Sequence, residues 1–168
     1  LLTASFRSLQ RNGHEGAVRL LLLENNVDIA ARDNAGLSPL HLAASKGHEG
    51  AVRLLLENNA DIAARNNDGN SPLDLAARNG SEDAVRLLLE NNADIAARDN
   101  GGYSPLHWAA RNGHEGVVRL LLGNNADIAA RENGGDSPLH WAAKNGHEGV
   151  VRLLLENKAD IAANDGSW

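Results

Sequence analysis

The feature that most restricts this chain is its period. Ser-Pro-Leu begins at Ser38, Ser71, Ser104 and Ser137, and Asp-Ile-Ala-Ala begins at Asp28, Asp61, Asp94, Asp127 and Asp160; every step in both series is 33 residues. A fixed period of this length means one supersecondary unit copied along the chain, not a single globular core. So small a unit cannot bury both of its apolar flanks alone, and stacking on its neighbours is obligatory. Aromatics are 3 % of the 168 residues, and Phe6 is the only Phe. Ala, Leu, Val and Ile must therefore do the packing, and they suit close helix-on-helix contact.

Each unit spells out two helices and a turn. Ser38 is placed to cap a helix, and Pro39 fits the first helical position, where its missing N–H had no partner. Gly47 ends that helix. His48 and Glu49 open a second helix that runs to Asn58, and Asn59 suits a left-handed position after it. The tip runs from Asp61 to Ser71, with Gly69 supplying a turn conformation other residues resist. At about 100° per residue, Leu40, Ala43, Ala44 and Gly47 share one side of the first helix. On the second helix Val52, Leu55 and Leu56 face inward, and Ala51 and Leu54 flank them. Arg53 and Glu49 point to water as an i,i+4 pair worth a few tenths of a kcal/mol, roughly. Two of the breaks in the pattern fall at the end of the second helix. Lys158 stands where other units have Asn, and Gly123 stands where others have Glu.

The motif after each tip reads Ser38-Pro39-Leu40-His41-Leu42-Ala43-Ala44, and it recurs from Ser104 to Ala110 and from Ser137 to Ala143. Ser71-Pro72-Leu73-Asp74-Leu75 is a variant. With its 33-residue period the chain resembles the ankyrin-repeat family over almost its whole length, Ser standing where the family usually has Thr. The resemblance implies an all-α repeat solenoid of helix-turn-helix units with β-hairpin-like tips. It implies one domain, 1–168, of about five units: a degraded first unit 1–32, then 33–65, 66–98 and 99–131, and a last unit 132–168 with a short tail. It also implies a protein or peptide partner held on the concave side. Near-identical units suit recent duplication or consensus design, but Lys158 and Gly123 look undesigned, and a fragment of a longer array is the expectation. One extra Leu in Leu20 to Leu23 should form a bulge, since a one-residue slide would bury Arg19.

Other function classes find little support. The net charge is −6 and the pI about 5.6, which disfavours nucleic acid as a partner. No stretch approaches the ~20 apolar residues of a membrane span. The start, Leu1-Leu2-Thr3-Ala4, has no signal-peptide pattern, so an intracellular, cytoplasmic protein is expected. There is no Cys for a thiolate site or nucleophile. His41, His107 and His140 hold one place in the repeat, and His48, His114 and His147 hold another. Helices pack about 10 Å apart, and zinc needs ligands within about 2 Å, so neither series shares a metal. These rings are expected to bond nearby backbone and hydroxyl groups. Ser38 and its counterparts are caps with no convergent base. No catalytic, cofactor or metal site is expected, and the chain does not read as an enzyme. The ladder Arg19, Arg53, Arg86, Arg119 and Arg152 reads as a solvated face.

Positions that change between units are not dictated by the repeat's packing, and they are the candidates for binding. At the tips these include Leu37, Asp68, Asn70, Tyr103 and Asp136, with Asn34, Asn67, Asn100 and Asn133 beside them. On the first helices they include Lys46, Arg78, Arg111 and Lys144. Trp108 and Trp141 face away from the core of their own units. They have two readings: space-fillers between adjacent first helices, or a partly exposed aromatic platform of the kind favoured at interface hot spots. The third unit departs most, with Asp74, Ser81 and Asp83, and a looser loop is expected where the His is lost. The alternative function is a structural spacer, with open apolar ends favouring end-to-end self-association.

Overall fold

A computed structural model describes residues 28–159. Ser38, Ser71, Ser104 and Ser137 each take an extended backbone and cap the helix that follows, with Pro at its start. The described residues form eight helices in four pairs: α1 (Pro39–Lys46) with α2 (Glu49–Glu57), α3 (Pro72–Asn79) with α4 (Glu82–Glu90), α5 (Pro105–Asn112) with α6 (Glu115–Gly123), and α7 (Pro138–Lys144) with α8 (Glu148–Glu156). Most of the first unit lies outside the described residues, and so does the bulge expected at Leu20 to Leu23.

The first helix of each inner unit ends where the chain turns left-handed, at Gly47, Gly80 and Gly113. Glycine is needed at Gly80 and Gly113 for a second reason. A Cβ there would lie 2.6 Å from Nδ1 of His114 or His147 in the next unit. The second helices end in left-handed Asn59, Asn92, Asn125 and Lys158, as their place in the repeat predicts.

Between the helices of a pair lies a dry layer of small and branched side chains. Leu40, Ala44 and Val52 are fully buried, as are Ala76, Ala77 and Val85. Leu55 is buried as well, but Leu56, expected inward, is only partly covered and packs against the edge of the core. Each fully buried Leu contributes roughly 1.5–3 kcal/mol. First helices approach one another more closely along the array than second helices do. The stack therefore bends with its first helices on the concave side.

The tips are hydrogen-bonded turns, and no strand occurs among the described residues. In the tip before α5 the Gly102 N–H donates to Asp99 O and the Asp99 N–H to Tyr103 O, both at 3.0 Å. Oδ1 of Asp99 accepts from the N–H groups of Gly101 and Tyr103, both at 2.9 Å, and closes the turn from inside.

Candidate protein-binding surface

A surface made of tips holds a partner only if the tips are held themselves. Two side-chain ladders do this. The amide of Asn67 donates to Asn34 O at 2.9 Å, that of Asn100 to Asn67 O at 3.0 Å, and that of Asn133 to Asn100 O at 3.1 Å. The Arg98 guanidinium bridges Gly102 O in its own tip and Arg131 O in the next, both at 2.9 Å. Arg65 does the same with Gly69 O and Arg98 O at 2.7 and 2.6 Å. The four Asn residues, grouped by sequence with the variable tip positions, are scaffold. The signal was present: the same residue stands at every 33-residue step.

Below the tips, the motif histidines bind helix cap to neighbouring tip. His107 is fully buried, and its Nδ1 lies 3.2 Å from the Ser104 N–H and 2.8 Å from Ser104 Oγ. A backbone N–H can only donate, so Nδ1 is the acceptor and the ring proton sits on Nε2. Nε2–H then donates to Asp136 O in the next unit at 3.2 Å. His41 repeats this with Ser38 and with Asn70 O at 3.0 Å. Burial disfavours the charged ring, lowering the His41 pKa and taking that of His107 to about 4. Both rings stay neutral at pH 7 and bond backbone and hydroxyl groups, as the repeat suggested.

Asp74, at the same place in the third unit, keeps the cap. Its Oδ2 accepts from Ser71 N–H at 2.8 Å and Ser71 Oγ–H at 2.7 Å. The loop is therefore not loosened at its cap. What is lost is the bond to the next tip, because a carboxylate has no proton for a carbonyl. Oδ1 is buried without a partner, and burial raises the Asp74 pKa to about 6. Ser81 keeps a weaker version of the second histidine's role. Its Oγ lies 3.4 Å from Ser45 O, where His114 Nε2 reaches Arg78 O at 3.0 Å.

On this frame the late units display a column of rings and cations. Tyr103 stacks on Trp108 with centroids 4.8 Å apart and planes 25° apart, and it lies 5.6 Å from Trp141. The Arg78 guanidinium sits 4.6 Å from the Trp108 ring centre, and Lys144 Nζ sits 5.1 Å from that of Trp141. Arg111 lies between the two indoles, 5.4 Å from Trp108 and 4.5 Å from Trp141. Both indoles are half-buried, so they fill space between first helices and still meet solvent.

The family model described as ankyrin repeats (3 copies) matches residues 6–99 and 97–165. The chain is an ankyrin-repeat protein. No curated protein matches it. Ankyrin repeats generally serve as protein–protein interaction modules, and their fold is typically a non-enzymatic scaffold. In this ankyrin array no helix among the described residues is long and apolar enough to cross a membrane.

The ankyrin frame sorts the candidate residues. Lys46, Asp68, Arg78 and Lys144 are exposed; Leu37, Tyr103, Trp108, Arg111 and Trp141 are half-buried. Asn70 is 3 % exposed, so its side chain offers a partner almost nothing. Asp136, read from sequence as acidity at a tip, is only 7 % exposed, and its Oδ2 accepts from Lys144 Nζ. The structure brings Arg78, Tyr103, Trp108, Arg111, Trp141 and Lys144 together, while Leu37, Lys46 and Asp68 take no part in the ring contacts. One difference separates the two indoles. Trp108 Nε1 donates to Asp99 Oδ2 at 3.1 Å, but Trp141 Nε1 is buried without an acceptor. Glu132 stands where Asp99 stands, and its oxygens are taken by the N–H groups of Gly134 and Asp136 at 2.8 and 3.0 Å.

Proposed function

We infer that this ankyrin protein binds a protein or peptide on its concave face, over the tips and first helices of its middle and late units. One observation supports this most. The ring and cation column occupies positions that the repeat does not require to be aromatic or charged. Leu42 and Leu75 stand where the Trp residues stand, Ser45 where Arg78 and Arg111 stand, and Leu37 and Asn70 where Tyr103 stands. Trp, Tyr and Arg are the residues most enriched at interface hot spots. The convex side carries Arg53, Arg86, Arg119 and Arg152 in every unit and offers little discrimination.

A peptide-display selection against the folded protein tests this reading. Binders should lose at least tenfold in affinity when Tyr103→Ala is combined with Trp108→Ala, with circular dichroism reporting an intact fold. They should keep their affinity for Arg53→Ala with Arg86→Ala. If the convex pair were the damaging one, the concave assignment would be wrong.

A second reading, a self-stacking scaffold, is favoured by the face of the last helix pair. Val118 and Ala110 are fully buried, whereas their counterparts Val151 and Ala143 are half-buried and exposed, and Leu155 is 38 % exposed. These residues line an open groove with Gly146. Sedimentation over a concentration series would reveal assembly weakened by Val151→Glu. A monomer at every concentration would dismiss it.

A further inference from the structure

We propose that the column formed by Arg78, Trp108, Arg111, Trp141 and Lys144 is a docking track for an acidic, extended peptide segment with carboxylates three residues apart. The proposal rests on the concave-face reading and specifies its partner.

Among the described residues, the column presents cations without ion-pair partners at Arg78 and Arg111. The protein carries −6 overall, yet its concave late units expose cations whose acidic neighbours are already engaged. Asp99 holds its own turn with Oδ1 and Trp108 with Oδ2. Glu132 is bonded to its own turn through both oxygens, and Asp136 is paired with Lys144. Neither Arg78 nor Arg111 has a carboxylate within ion-pair distance among the described residues. Bonds to N–H groups leave the charges of Asp99 and Glu132 in place, so what invites a carboxylate is the pair of guanidinium edges without an ion-pair partner, not the net charge of the region.

The rings also preorganise these cations. A guanidinium lying over an indole face keeps its N–H edges outward, and those edges match a carboxylate bidentately. The rings hold Arg78 and Arg111 in place before binding, so less side-chain freedom is lost when a carboxylate arrives. Lysine in either position would lack the fork.

Spacing sets the register. Arg78 and Arg111 are equivalent residues on neighbouring first helices, and both lie within 5.4 Å of the Trp108 ring centre, at 4.6 and 5.4 Å. Their separation is therefore at most about 10 Å, the usual distance between packed helices. An extended polyproline-type segment returns to the same face every third residue, roughly 9 Å on. Carboxylates at positions i and i+3 would meet the two guanidiniums, and the residues between them would lie against the edges of Trp108 and Tyr103. A flat β-strand presents alternate residues instead and puts i and i+3 on opposite faces.

Fluorescence anisotropy with a labelled nonapeptide of Glu-Pro-Ala triplets tests this directly. The peptide should bind the wild-type protein, more weakly as salt rises. Arg78→Gln with Arg111→Gln should reduce affinity about tenfold or more, the range expected for losing charge-assisted bonds. Arg78→Lys with Arg111→Lys keeps charge and fold and should fall between the two. A Lys-Pro-Ala peptide, and an isomer with its Glu residues contiguous, should bind several-fold more weakly. Equal affinity for the Lys peptide, no binding at millimolar concentration, or indifference to both Arg pairs would overturn the proposal. Should display-selected binders lack acidic triplets and still depend on Tyr103 and Trp108, the acidic track alone would fail. Indifference to those rings as well would remove the concave-face reading too.

Discussion

Lys158 has φ 68°, where the preceding units place Asn59, Asn92 and Asn125 at 63°, 64° and 63°. A long side chain gains nothing from the left-handed region, and glycine enters it without the Cβ penalty. Lys158→Gly should raise stability by about 1 kcal/mol, read as a shifted denaturation midpoint; an unchanged midpoint would show that the strain is relieved elsewhere. A second residue-scale test concerns Trp141. Its indole N–H is orphaned because the extra methylene of Glu132 turns both oxygens into the tip. Glu132→Asp should reproduce the arrangement at Asp99 and Trp108, and supplying the missing acceptor should stabilise by roughly 1 kcal/mol. Fluorescence of the tryptophans should shift with it; a neutral or harmful substitution would count against this account. The sequence displayed Lys158 as an oddity, but it hid the indole's missing bond, which depends on where side-chain oxygens end in space.

At the scale of the element, the capping box of α3 is closed by a carboxylate where those of α1, α5 and α7 are closed by an imidazole. In the unfolded chain Asp74 titrates near the ordinary 3.8, and in the folded protein it titrates at about 6. The folded state binds this proton more tightly. The stability Asp74 contributes is therefore fully present below pH 3.8 and is lost as pH rises through 6. His107 has the opposite sign. Its pKa falls from 6.5 to about 4, so its contribution is present above pH 6.5 and is lost as pH falls towards 4. Asp74→His should therefore stabilise at pH 7 by roughly 2–4 kcal/mol, by removing a buried charge and restoring the bond to the next tip. The gain should shrink steeply by pH 5. Urea unfolding at both pH values decides it: equal gains would mean that Asp74 is not a buried acid. Helix starts, helix ends and left-handed positions were legible because local backbone preferences set them. That Asp74 would preserve the cap and lose only the inter-unit bond was not, because the lost partner lies in the next unit.

Across the whole molecule, each unit owes its stability to neighbours on both sides, and the described units stack without a break. A unit with an uncovered apolar face, as at Val151 and Leu155, should open before units covered on both sides. Hydrogen exchange resolved by unit should be slowest along α3, α4 and α5; fastest exchange in those helices would reverse the ordering. The sequence by itself determined the period, and from it the family, the helix pairs and the apolar layer, because each follows from residue order and from backbone and helical geometry within a single unit. It also pointed to Tyr103, Trp108 and Trp141 as departures from the repeat. Only the tertiary structure decided what those departures make. Residues 33 positions apart become neighbours when units stack, and only then do Arg78, Arg111 and Lys144 lie against the indoles, Asp136 withdraw to Lys144, and the four Asn residues become a clamp. Those outcomes depend on the distance between equivalent side chains in successive units, a quantity set by packing and not carried by residue order.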